Sequence, residues 1–520
     1  MKKFFKSIDI AALLSALYFG AVWMAYIYLN LTNSVKLTLM FTLFILISSY
    51  FVLSIVIRRL RAFDILGTTA LSRSKKQFLF TATAVVAFLL RLIWILAYYP
   101  GSFPLDSIAQ YEQAVSGSYS DWHPVWHTIL FFTIPLKIFG KPAAIIILQN
   151  IYLALILGYM AVTITEIWNV KAAIMSIAYI VLNPYIGYVM LYPWKDVAFA
   201  LGGLLCSIIA VKLVLKREET YKLWKLIALG ILLSWTTIFR HNAILFTAPL
   251  IVVLAFHVDK KTWLKIFAAF AVSLFVIKVP LYNALDVEKP GNRVVESMGL
   301  PLTVIGNVVK VMPDQLGEEL SEFAYSIAPK EMWVNRYICG DFNSIKWRGG
   351  VDTSAVEKQG YFGMLKLMLL SFRVSPQAAF RAFITLTDVV YGFETGLEGD
   401  VGAKIFKNDY GIAYSDDRNV AFETLVSTYS SFINGTVFKY LRTYGVALFA
   451  MLVLVLSRLK YNSWKSWKKA IFILAPIFCY DFGTMLLLTT ADSRFFFITF
   501  LVTPLIIAFA LTKSGEKNNG

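Results

Sequence analysis

Charged side chains are scarce in this sequence. Asp, Glu, Lys and Arg make up 16% of the 520 residues, well short of the roughly 25% usual for a soluble domain. With 58% hydrophobic residues and a mean hydropathy of +0.66, a soluble chain is excluded. Cysteine is rarer still. Cys206 and Cys479 lie in apolar runs and Cys339 stands alone, which excludes a disulfide framework. No zinc-protease motif is present, since His123 and His127 are four apart but no Glu follows His123. A cleavable leader is not expected either, because the first apolar run is long and lacks a small-residue cleavage site.

What the chain has in abundance is apolar runs. Ala11 to Leu29, Leu37 to Ile57, Phe78 to Tyr98, Ala143 to Thr163 and Phe495 to Leu511 each approach the roughly 20 residues that cross hydrocarbon. The net charge of +17 is unevenly spread: residues 283–436 hold 14 Lys/Arg against 19 Asp/Glu, leaving the rest of the chain at +22. Those positives cluster in short loops, a pattern that marks cytoplasmic loops rather than a nucleic-acid partner.

Two basic loops, Arg58 to Lys76 and Lys216 to Lys225, are separated by five apolar runs. An odd number would place them on opposite sides, so one run does not span. Val125 to Phe139, with Pro135 and Lys137 inside it, is expected to be interfacial or re-entrant. The threading then predicts a polytopic α-helical membrane protein of about 12 spans with both termini cytoplasmic. Its parts are two N-terminal spans with a basic loop (1–76), a core (77–283) with an outer loop at 99–128, a mainly α extracellular domain (284–436), and three C-terminal spans with a tail (437–520).

Candidate chemistry collects at the predicted outer ends. Pro100, Gly101 and Pro104 make a turn that delivers Asp106 near a helix start, where a partly desolvated carboxylate suits a general base. The same spacing suits a helix cap. Lys195 and Asp196 open a later span behind Trp194, as a second acidic group or as another cap. Arg240 and His241, and Asp492 to Arg494, lie in outward turns; Arg240, His241 and Arg494 form, with His123, His127 and Lys195, a set able to grip a phosphate beside Asp106 and Asp196. Arg91 and Asp481 fall inside predicted spans at similar depth, roughly 10 to 12 Å below the surface. Buried ionisable groups are costly and usually paired, so the two are expected to pair, or Arg91 to bind phosphate.

The aspartate in the first large outer loop, the His123-Pro124 pair before the interfacial helix, and Asp196 opening a later span together resemble the GT-C fold of polyprenyl-phosphate-sugar-dependent glycosyltransferases. Protein O-mannosyltransferases and aminoarabinose transferases belong to it. Tyr99 to Thr128, Tyr192 to Asp196, Arg240 to Asn242 and Glu296 to Met312 resemble more closely a little-characterised bacterial group. The resemblance runs from about Phe78 onward. It implies a catalytic role for Asp106, a second acidic role for Asp196, and a loop-shaping role for His123. The acidic pair common in that first loop is here a lone Asp106 followed by Ser107, which leaves dependence on a divalent cation open.

The function implied is inverting transfer of a sugar from a polyprenyl-phosphate-linked donor to a cell-envelope acceptor (glycan, lipid or protein) at the outer face of a bacterial cell membrane. Membrane lipid is the further partner expected, and no nucleic acid. A transporter or flippase of a lipid-linked saccharide is the alternative. No internal hydropathy repeat favours it, and the large segment 284–436 is unexplained by it.

Overall fold

The computed structural model describes residues 9–32, 34–62, 71–215, 222–289, 293–393, 402–414, 419–460 and 463–512. Lys216-Arg217 and the Lys513–Gly520 tail, both used in the charge argument, lie outside the described residues. Among the described residues every extended element is a helix. The N-terminal half comprises α1 (Ile10–Tyr26), α2 (Val35–Ala62), α3 (Arg73–Ala97), α4 (Leu105–Ser116), α5 (Ala143–Ile167), α6 (Val170–Val181), α7 (Lys195–Val214), α8 (Leu223–Ile238), α9 (Ile244–Leu254) and α10 (Lys260–Lys278). The remainder comprises α11 (Gly299–Val311), α12 (Ser354–Val374), α13 (Pro376–Tyr391), α14 (Val420–Asn434), α15 (Tyr444–Ser457), α16 (Trp464–Met485) and α17 (Phe497–Ala510).

Among the described residues, seven helical segments are long and apolar enough to cross a membrane: Ile10–Leu31, Val35–Ala62, Arg73–Ala97, Ala143–Ile167, Lys195–Val214, Lys260–Ala284 and Ser493–Ala510. The chain is a helical membrane protein. The other expected spans fall on shorter or interrupted helices. After α6 the run breaks at Asn183-Pro184, where the Asn183 side chain accepts from the Tyr185 amide and starts a new short helix. Pro249 lies inside α9 and Pro476 inside α16, each removing a helical hydrogen bond. The stretch Val125–Phe139 is also composite, with a π-helical turn at Thr128–Thr133 between two short α segments.

Basic side chains mark one end of the bundle. Arg61 pairs with Asp9 at 2.6 Å, and Lys76 and Lys212 close on Glu166 at 2.6 and 3.4 Å. The opposite end carries Asp106, Lys195, Arg240 and Arg494 at helix starts and turns. Small residues bring the helices together between the two ends. A Cβ on Gly158 would lie 2.7 Å from the Phe80 carbonyl oxygen, and one on Gly230 2.5 Å from that of Ile266; glycine is what permits each approach.

Arg91 and Asp481 do not pair. The Arg91 guanidinium, 0% exposed, donates to Asn150 Oδ1 at 3.0 Å and the Gly187 carbonyl at 2.7 Å. It clips α3 to α5 and to the short helix Pro184–Val189. Asp481 accepts from Thr499 Oγ1 at 2.7 Å, joining α16 to α17. Similar depth said nothing about which side of its helix each residue faces.

The described residues of 284–436 form a helical layer over the Asp106 end of the bundle. Its core is continuous with that of the spans: Leu300, Leu302, Val304, Trp333 and Leu386 share one buried cluster with Leu448, Tyr480 and Phe500. Gly299 at the start of α11 sits against Leu488, where a Cβ would meet the carbonyl oxygen. A strap from this layer crosses the first loop: Phe103 donates to the Lys404 carbonyl at 2.9 Å, and Phe406 donates back to Phe103 at 3.0 Å. Strap, loop and α14 share an apolar cluster of Tyr98, Phe103, Ile146, Ile412 and Val426.

Candidate active site

Asp106 does not cap its helix. Pro104 holds the N-cap position of α4 with no side-chain cap bond, and Asp106 stands in the first turn, where the helix N-terminus favours a carboxylate. Its side chain is 38% exposed and accepts from Arg494 Nη1 at 3.1 Å. Arg494 in turn places Nε 2.8 Å from Asp492 Oδ2, so the guanidinium bridges two carboxylates. Its plane lies over Trp194 and Phe495, with centroids at 5.0 and 5.1 Å. Trp194 is stacked on Tyr192 at 4.1 Å, and the Tyr192 hydroxyl donates to the Gly402 carbonyl. The strap therefore fixes the tryptophan that orients the arginine.

Lys195, the first residue of α7, reaches His123 Nδ1 at 3.5 Å. His123 is 3% exposed. Burial, reinforced by the Lys195 charge, pulls it down to about 3, so it is neutral at physiological pH. Burial would raise the Asp106 carboxyl, but Arg494 and Lys195 outweigh it and hold that group at about 2.

Asp196 is not a cap either: the N-cap of α7 is Trp194, two residues before it. It is 1% exposed and ion-paired with Arg240, whose guanidinium lies over Phe495 at 4.2 Å. The role this geometry gives Asp196 is to hold Arg240. Phe495, between Arg240 and Arg494, is the shared apolar face of the two arginines.

Asp106, His123, Lys195, Asp196, Arg240 and Arg494 are thus brought together. His241 stands at the edge, with Nε2 3.4 Å from the Trp122 carbonyl. His127 is set one layer back, where it meets Gln110 Nε2 through Nδ1 at 2.9 Å and stacks on Phe131. Arg91 is occupied at the clip already described and lies outside the group. Two acidic residues were missed. Asp492 was visible in the Asp-Ser-Arg turn, where a residue two before Arg494 can reach it. Glu296 pairs with Lys346 and lies near enough to Lys195 to act on its charge; its signal was only its place in a polar turn before an apolar helix. Among the described residues, no three His, Cys, Asp or Glu side chains converge to hold a metal ion. Compared with known proteins, the chain matches no family model, no curated protein and no solved structure.

Chemically, the group combines the half-exposed Asp106 carboxylate with two arginines set on flat aromatic surfaces and with Lys195. It suits an anionic ligand whose neighbour must lose a proton.

Proposed function

We propose that the protein is an inverting, GT-C-type glycosyltransferase that moves a sugar from a polyprenyl-phosphate donor to a cell-envelope acceptor. The reading keeps about 12 spans, an interfacial helix at Val125–Phe139, and the Asp106 end facing outward. The observation that carries it is the Asp106 carboxylate held against Arg494 and near Lys195. Base and phosphate ligands share one site there, and inversion places C1 of the sugar between them, with the acceptor oxygen and Asp106 on one face and the departing phosphate on the other.

In the step itself, the acceptor oxygen forms a bond to C1 while the bond from C1 to the phosphate oxygen breaks. The acceptor proton passes to Asp106, and the electron pair leaves with the phosphate, where Arg494 and Lys195 stabilise it. A carboxylate at about 2 is a weak base. The donor phosphate corrects this by drawing Arg494 toward itself, so that Asp106 loses its closest cation and gains basicity when the substrate is bound.

Asp106→Asn tests the reading. It keeps shape and hydrogen bonding but cannot accept a proton, so sugar transfer from a polyprenyl-phosphate donor should fall roughly 100-fold or more with normal folded yield. Near-normal transfer by the folded variant would reject the mechanism.

A further inference from the structure

Beside the site, a groove of about 530 Å³ runs between α8 and α10. The two helices touch closely lower down, where a Cβ on Gly230 would crowd Ile266 and Ser234 Oγ donates to the Phe270 carbonyl at 2.6 Å. Higher up α8 ends at Ile238, while α10 continues to Lys278. The gap left beyond the end of α8 is walled by Ile238, Phe267, Ala271, Leu274 and Phe275. Phe267 and Phe275 are 40% and 62% exposed, so the groove opens sideways toward lipid. Its other end is basic, lined by Arg240, His241 and Lys278. That end abuts the first loop, since Lys278 lies 3.7 Å from Asp121 and His241 meets Trp122. The groove is thus apolar where it meets the bilayer and cationic where it meets the cluster around Asp106.

We propose that this groove is the entry and seat of the donor lipid. The isoprenoid chain lies between α8 and α10, and the phosphate passes Arg240, His241 and Lys278 at the basic end on its way to Arg494 and Lys195. The assignment rests on the transferase reading for the identity of the lipid. The polarity along the groove is the argument for one occupant: an apolar chain ending in an anionic head, presented from the side rather than from water. Arg240 then contacts the donor from one side while Asp196 fixes it from the other, and the sugar beyond the phosphate points toward Asp106.

The test is binding rather than transfer, so that it can fail separately from the catalytic reading. The full chain in detergent micelles is titrated with decaprenyl phosphate and followed by native mass spectrometry. Ala271 is an exposed groove residue, so Ala271→Trp fills the groove without disturbing the core; it should weaken binding at least about 10-fold. Val276→Trp, at an exposed position of the same helix away from the groove, should bind like the parent. Lys278→Gln should weaken the phosphate but not the corresponding prenyl alcohol. Parent-like binding by Ala271→Trp, or equal displacement of the probe by phosphatidylglycerol, would overturn the assignment. Loss of transfer in Asp106→Asn together with groove-independent binding would leave the catalytic reading standing alone. Groove-dependent binding with transfer unaffected by Asp106→Asn would do the reverse.

Discussion

The ion pair between Asp196 and Arg240 gives the sharpest stability prediction. Both side chains are nearly inaccessible, at 1% and 7%, so each charge has given up hydration and depends on its partner. Asp196→Ala leaves the guanidinium with Asn242 and an aromatic face but no paired carboxylate, only the weaker influence of the Asp492 charge. Breaking a buried pair from one side costs about 3–5 kcal/mol, or two to three and a half decades in the folded-to-unfolded ratio at about 1.4 kcal/mol per decade. Arg240→Met should cost a similar amount, because it strands the carboxylate. The double variant buries no charge and should recover a large part of either loss, a coupling well above the roughly 0.5 kcal/mol expected of independent sites. Reversible unfolding in mixed micelles, titrated with a denaturing detergent and followed by tryptophan fluorescence, measures the cycle. Additive losses, or a single loss under about 1 kcal/mol, would refute the view that Asp196 acts by holding Arg240.

Other consequences can be measured independently. The Asp106 carboxyl is held at about 2, below its unfolded value of about 3.9; its contribution to stability is present above pH 4 and is lost as pH falls toward 2. Acid titration of the parent should therefore show a loss in that window that Asp106→Asn lacks, and identical curves would count against the Arg494 contact. His123, pulled to about 3 from an unfolded value of about 6.5, stays neutral when folded, so His123→Gln should leave the pH profile of transfer unchanged above pH 5; a vanished inflection near neutrality would assign that ionisation to His123. Gly230→Val should drive α8 from α10 and reduce folded yield measured by size-exclusion chromatography, as a Cβ there lies within 2.5 Å of backbone. Arg91→Met and Asp481→Ala should be additive within roughly 0.5 kcal/mol, since they have separate partners, and a recovered double variant would revive their pairing.

The site was legible in the sequence where a polar residue interrupts the chain at the end of an apolar run. Asp106, Lys195, Asp196, Arg240 and Arg494 all satisfy that condition, and all five meet at one end of the bundle. Legibility failed where direction around a helix mattered. Arg91 and Asp481 have comparable depth, yet one faces Asn150 and the other Thr499, and only packing fixes that angle. The choice between cap and functional carboxylate was likewise invisible, because only two residues of offset separate the two; the helices begin at Leu105 and Lys195 and so move both aspartates into the first turn. The groove between α8 and α10 had no sequence signal beyond Gly230, since it arises from one helix ending before its neighbour. Helix lengths were the other weak point. Asn183-Pro184, Pro249 and Pro476 lie in runs that read as continuous by hydropathy, but proline cuts the hydrogen-bond ladder whatever the hydropathy around it.

The contact between Asp106 and Arg494 joins residues 388 positions apart, and the strap that fixes Trp194 comes from residues 402–414. During synthesis the first loop therefore emerges long before either partner exists. The ribosome must add Arg494 before the carboxylate has this cation to rest against, and residues 402–414 before Trp194 has its strap. A nascent or prematurely terminated chain can insert its early helices and still have no assembled site. On the transferase reading, chains halted before Arg494 would be inert toward donor lipid, and activity would arise only once that residue is in place.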